Sequence, residues 1–208
     1  MRKLGILFMS VLMTLTFAAC GGTEAGNTAP KSGSEKSAVK DNKTQTNSKT
    51  LVAYFSCTGN TKTLAETTAK AIGADIYEIV PEKPYTKEDL NYNDDNSRSS
   101  KENRDTKARP ALKDKNANIA SYDKIVLAYP IWWGKAPRIL ETFVESYDFS
   151  GKTVVAICTS GGSDIGSSAD YLKSLSKGSA DWKGGKLFSS RASADEIKSW
   201  WKSLGLDK

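Results

Sequence analysis

LVAYFSCTGNT, residues 51–61, decides the fold. Leu51–Phe55 is a short run of β-formers. It passes through Ser56, Cys57, Thr58, Gly59 and Asn60 into a helical stretch, Thr61–Ile72, where Leu64, Thr68 and Ile72 share one face and Gly73 stands as a C-cap. A strand that enters a helix through hydroxyls and a glycine brings O–H donors, backbone N–H donors and the positive helix end to one point. That is a cradle for phosphate. The loop lacks the lysine of G-x-x-x-x-G-K-[ST], which argues against a nucleoside triphosphate.

Outward from this stretch the text keeps alternating. Ile76–Val80 reads as a second strand closed by Pro81, Ile125–Tyr129 as a third, and Thr153–Cys158 as a fourth, apolar almost throughout. Lys186–Phe188 is a weak fifth. Helices are expected over Arg138–Glu145 and Ala169–Leu175, and after the capping box Ser193-Ala194-Asp195-Glu196, where Trp200 and Trp201 pack on the sheet. Such alternation predicts an α/β fold, an open parallel sheet with helices on both faces. The polar connection Pro84–Ala120 reads as a long loop with a short helix near Ser99–Asp105.

Composition narrows the chemistry. The 208 residues hold one ordinary domain with extensions. There is no histidine, which removes His-based acid–base and nucleophile systems and most zinc sites; no metal is expected. Three cysteines exclude a disulfide scaffold. The formal charge of +6 sits partly in the ends, and residues 50–208 carry 23 basic against 21 acidic residues. A near-neutral domain without a basic stripe argues against nucleic acid as partner.

The amino-terminal segment reads as an address. Met1-Arg2-Lys3 precedes an uncharged, mostly apolar run, Leu4–Phe17, too short for a membrane span. Phe17-Ala18-Ala19-Cys20 resembles the bacterial lipobox, in which the cysteine receives diacylglycerol. Residues 1–19 are therefore expected to be a lipoprotein signal peptide and residues 20–49 a disordered linker anchored at Cys20, poor in apolar residues, with a reach of about 30 Å. Residues 50–208 form the domain. The resemblance implies a membrane lipoprotein facing outside the cytoplasm.

Ligands of open parallel sheets sit at the carboxyl ends of the strands. Beyond the third strand stands Tyr129-Pro130-Ile131-Trp132-Trp133-Gly134, and beyond the fourth Thr159-Ser160-Gly161-Gly162-Ser163. With Ser56–Thr61, these loops in this order resemble the flavodoxin family, and the Y-P-I-W-W-G form resembles a bacterial subgroup of it. The resemblance implies a doubly wound five-stranded sheet of order 2-1-3-4-5 and one non-covalent FMN. Ser56, Cys57, Thr58, Gly59, Asn60 and Thr61 would form the phosphate loop. Pro130, Ile131, Trp132, Trp133 and Gly134 would flank the ring, and Thr159, Ser160, Gly161 and Gly162 would close its polar edge. Adjacent residues of an extended chain point to opposite sides, so at least one of Trp132 and Trp133 is expected to touch the ring.

The third loop has no aromatic, which predicts one open face on the flavin, and Lys135 and Arg138 predict a positive neighbourhood for the ring. Cys57 and Cys158 are expected to be free, buried thiols, since another strand separates theirs. Three functions fit: an electron carrier serving redox proteins or small acceptors, a flavin-dependent reductase of quinones or similar molecules, and a non-catalytic flavin-binding lipoprotein.

Overall fold

The runs LVAY, IVLAY and VVAIC are apolar on every residue, so strands built from them cannot leave a face in water. In the computed structural model, which describes residues 48–207, they form the middle of a sheet covered on both sides. Its strands are β1 (Thr50–Tyr54), β2 (Asp75–Glu78), β3 (Lys124–Pro130), β4 (Thr153–Thr159) and β5 (Asp181–Leu187). All neighbours are parallel, in the order β2-β1-β3-β4-β5. The helices are α1 (Asn60–Ile72), α2 (Arg98–Arg104), α3 (Arg138–Ser146), α4 (Ser168–Leu175) and α5 (Ala194–Ser203).

Strand alternation divides the core. Val52, Tyr54, Val126, Ala128, Val155 and Ile157 pack under Leu64 and Ala65 of α1 and Ile197 and Trp201 of α5. Leu51, Ala53, Ile125, Leu127, Tyr129, Val154 and Ala156 pack under Ile139, Leu140, Phe143 and Val144 of α3 and Leu172 of α4. Each fully buried side chain of this size is worth about 1.5–3 kcal/mol, so burial is the main hold on both helix layers.

Two elements differ from the sequence reading. β5 begins at Asp181 and not near Lys186, because an edge strand carrying Gly184 at φ 83° and Gly185 alternates between exposed and half-buried positions and shows no apolar run. β2 ends at Glu78, although Ile79 still donates its N–H to the Tyr54 carbonyl. The connection from β2 to β3 is, as read, a long loop with one short helix, α2, to which a 3-10 turn at Ile119–Ser121 is added. Residues 1–19 and Cys20, with most of the expected linker, lie outside the described residues.

That connection is pinned by charge. Ser97 caps α2 by accepting the Ser100 N–H, and the Arg98 guanidinium lies 3.8 Å from the Tyr85 ring centroid while pairing with Glu102 at 2.6 Å. Arg138, at the start of α3, is 5% exposed. It donates to the carbonyls of Glu102 and Asn103 at the end of α2, each at 3.0 Å, where a helix end welcomes a cation. It also pairs with the buried carboxylate of Glu141, which Arg109 of the same connection approaches at 2.8 Å. Breaking a buried pair costs about 3–5 kcal/mol where the other charge is left stranded; without Arg138 the Glu141 carboxylate keeps Arg109, which puts the cost toward the lower end. Arg138→Met should therefore lower the unfolding free energy by about 3 kcal/mol, seen as a lower urea midpoint at unchanged slope. Arg138→Met with Glu141→Leu should recover part of the loss, and equilibrium unfolding followed by circular dichroism measures both.

Candidate functional site

A cleft of about 450 Å³ opens at the carboxyl ends of the strands. Ser56, Cys57, Thr58, Asn60 and Thr61 line it from the loop after β1, Pro130, Ile131 and Trp132 from β3 and its loop, and Thr159, Ser160 and Gly161 from β4 and its loop. Gly59, Trp133, Gly134 and Gly162, which the sequence reading grouped with these, are not among its lining residues. Leu90, Tyr92, Phe188, Ser189 and Ser190 also line it and were missed.

One end of the cleft is the start of α1. Its N-cap, Gly59, holds φ 87°, a left-handed conformation that a glycine adopts freely. No side chain caps this helix, and its first turn carries no acidic residue. Ser56 Oγ accepts the Gly59 N–H at 3.1 Å, which closes the loop on itself. The Thr61 and Thr159 hydroxyls meet at 2.8 Å, tying the first loop to the third. An uncapped helix start ringed by hydroxyls suits an anion of phosphate size.

The other end is aromatic. Trp132 is buried, edge-on to Phe55 at 5.4 Å and to Tyr85 at 5.2 Å, so the core fixes its ring. Trp133 does not continue an extended chain. Trp132 and Lys135 exchange both backbone hydrogen bonds at 2.9 Å, and Trp133 and Gly134 hold φ 54° and 74°, the signature of a type I′ turn. The turn sends Trp133 outward, 40% exposed, to meet the Tyr92 ring edge-on at 5.4 Å. Tyr92 thus supplies the cleft with the second aromatic that the third loop lacks. Its one signal in the sequence was its solitude, a lone aromatic among the polar residues 91–105. Phe188 was read as the end of the weak fifth strand and not as a cleft residue, and the two serines after it were missed.

No aspartate, glutamate, lysine or arginine lines the cleft. Neither expected cation lines the cleft: Arg138 is buried and engaged with Glu141 and two carbonyls, and Lys135 lines a separate crevice with Trp133. In Ser160, the hydroxyl accepts the N–H groups of Gly162 and Ser163, so the Gly162 N–H serves its own turn. Among the described residues, no group of three or more histidine, cysteine, aspartate or glutamate side chains is placed to hold a metal ion, and no helix is long and apolar enough to cross a membrane.

Residues 49–204 match the model of the flavodoxin family. The chain belongs to that family. Two crystal structures of candidate flavoproteins support the assignment. One, from Bacteroides eggerthii, is 48% identical over 76% of this chain and 99% of its own, with a TM-score of 0.71. The other, from Bacteroides uniformis, is 46% identical over 74% of this chain and 98% of its own, with a TM-score of 0.69. A Lactobacillus acidophilus flavoprotein in complex with FMN shares the fold at 22% identity and a TM-score of 0.53, covering 74% of this chain and 98% of its own. No curated protein matches the sequence.

Within this flavodoxin-family site the two described thiols are free. Cys158 is buried as expected, whereas Cys57 is exposed, because it stands on the phosphate loop and not in the sheet. Desolvation nevertheless pushes the Cys57 thiol up to about 12, against the pull of Arg98, and pushes the Cys158 thiol to about 12 as well. The thiolate is the reactive form, and at pH 8 a pKa of 12 leaves on the order of one thiol in ten thousand ionised. A disulfide reagent at pH 8 should therefore label the buried Cys158 orders of magnitude more slowly in the folded protein than in urea, and the exposed Cys57 should be slowed less than Cys158. Fast labelling of Cys57 in the native state would contradict the raised pKa.

Proposed function

We propose that the chain is an FMN-binding electron-transfer flavoprotein, held outside the cytoplasmic membrane by a lipid on Cys20. The observation that carries the cofactor is the pairing, in one cleft, of an uncapped, hydroxyl-ringed helix start with a tryptophan wall. The first-turn N–H groups of α1, with Ser56, Thr58 and Asn60, would hold the phosphate. Pro130, Ile131, Trp132 and Tyr92 would enclose the ring, and Ser160 and Gly161 would face its polar edge. Bound there, FMN supplies electron transfer in steps of one or two electrons. The protein's own part is to bind, orient and shield it, since no lining side chain is a plausible acid or base near neutral pH.

Electron transfer needs a route to partners, and the exposed Tyr92–Trp133 rim offers one for redox proteins or small acceptors. The same rim favours a second reading, reduction of quinones, because a flat acceptor stacks well on aromatic rings. Steady-state turnover of a water-soluble quinone by the FMN-loaded protein with a chemical reductant separates the two: rapid turnover selects the reductase, its absence the carrier.

Charge-assisted hydrogen bonds to phosphate are worth about 1.5–3 kcal/mol each. FMN should then bind at least about a hundredfold more tightly than riboflavin, the yield of two such bonds. Thr58→Ala should weaken FMN and leave riboflavin almost unchanged, whereas Tyr92→Ala should weaken both and reduce flavin quenching. Fluorescence titration of the purified protein measures these, and equal affinity for FMN and riboflavin would overturn the phosphate assignment.

The location is tested by Cys20→Ser. Two acyl chains on one cysteine anchor stably where one does not. The variant should leave the membrane fraction or remain there with its signal uncleaved. Processing and partitioning identical to the parent would refute lipidation at Cys20.

A further inference from the structure

A second cleft, of about 590 Å³, opens where β1 and β3 begin. Because the strands are parallel, it lies at the opposite edge of the sheet from the hydroxyl-lined cleft, about 20 Å away along the seven residues of β3. Its floor is apolar: Trp201 and Leu206 are buried and Ile72 is half-buried. Its rim is cationic. Lys49, Lys198 and Lys202 are exposed there, and no ion pair is formed by any of the three among the described residues. Lys124 also lines the cleft and donates to the Leu206 carbonyl at 2.9 Å, and Asp207 is the single acidic lining residue. Lys202 stands in the last turn of α5, where a cation also answers helix carbonyls. Lys198 and Lys49 have no such duty. Ser48 and Lys49 belong to the rim, so the chain leading back to Cys20 joins the domain at this edge.

We propose that this cleft takes the headgroup of an anionic phospholipid and seats the domain on the membrane by the amino-terminal edge of its sheet. The proposal rests on the tethered reading of the amino terminus. Lysines answer the phosphate, and the apolar floor accepts the glycerol and first methylenes. The hydroxyl-lined cleft then faces the aqueous side, where partners arrive. Near an anionic surface each lysine contributes roughly fivefold in partition, and salt suppresses it within a Debye length of about 8 Å.

The test uses the full processed chain purified from membranes and reconstituted in two vesicle types, phosphatidylcholine alone and phosphatidylcholine with phosphatidylglycerol. Hydrogen exchange read by mass spectrometry should slow over residues 48–52 and 198–207 on the phosphatidylglycerol vesicles only. High salt should abolish the slowing. Lys198→Gln with Lys202→Gln should cut occupancy roughly 25-fold, and residues 90–92 should exchange alike on both vesicles. Equal exchange on the two compositions overturns the proposal, as does slowing at residues 90–92 in place of the basic edge. Inorganic phosphate producing the same slowing without vesicles also overturns it, by assigning the cleft to the free ion. The intact mass of the same preparation reports the lipid on Cys20 separately. If that lipid is missing, the tether fails, and the protein added from solution to the same vesicles still decides the cleft.

Discussion

The buried guanidinium of Arg138 is the contact through which the two halves of the cleft are brought into register. It sits four residues beyond the turn that carries Trp133 and Gly134, and it reaches across to the last carbonyls of α2. The chain segment that provides Tyr92 is thereby fastened to the segment that provides Trp132. Trp132 is held by the core, whereas Tyr92 is half in water and most residues around it are polar. A connection of this composition would be mobile on its own. Arg98 on Tyr85, Arg109 on Glu141 and Glu145, and Arg138 on α2 add charge to the few apolar anchors, such as Tyr85, Leu90 and Ile119, that the connection sends into the core.

What the sequence revealed follows from where each residue finds its partners. β1, β3 and β4 were legible because burial on both faces leaves an uninterrupted apolar run. α1 was legible from one apolar face and a glycine stop, and Gly73 does hold the left-handed conformation at its end. β5 was mostly hidden, since an edge strand needs apolar residues on one side only and this one carries two glycines. The three expected loops do meet in one cleft, although Gly59, Gly134 and Gly162 do not line it. Tyr92 and Phe188 could not be found locally, because contacts between distant segments place them. Trp133 stands outside the cleft lining for a different reason. The assumption of an extended chain failed where two positive φ angles reverse it, and a tryptophan gives no warning of that.

Parallel strand order gives the molecule a polarity. All carboxyl ends fall on one edge, so loops far apart in sequence converge there, and the opposite edge is left to strand starts and helix ends. Here the first edge gathers hydroxyls and aromatic rings and the second gathers lysines. The domain therefore separates its charge from its cleft, although its sum is close to neutral.

The uncharged wall of the cleft has a consequence for acidity. Cys57 is the only thiol on it and Tyr92 the only phenol, and burial raises both above their ordinary values. Nothing on the wall changes protonation between about pH 5 and pH 9. A phosphate monoester seated there would bring the one mobile proton in that range, its own second ionisation near pH 6. Acidification would then be sensed by the guest and not by the host, so the walls keep one electrostatic state while the surrounding medium varies.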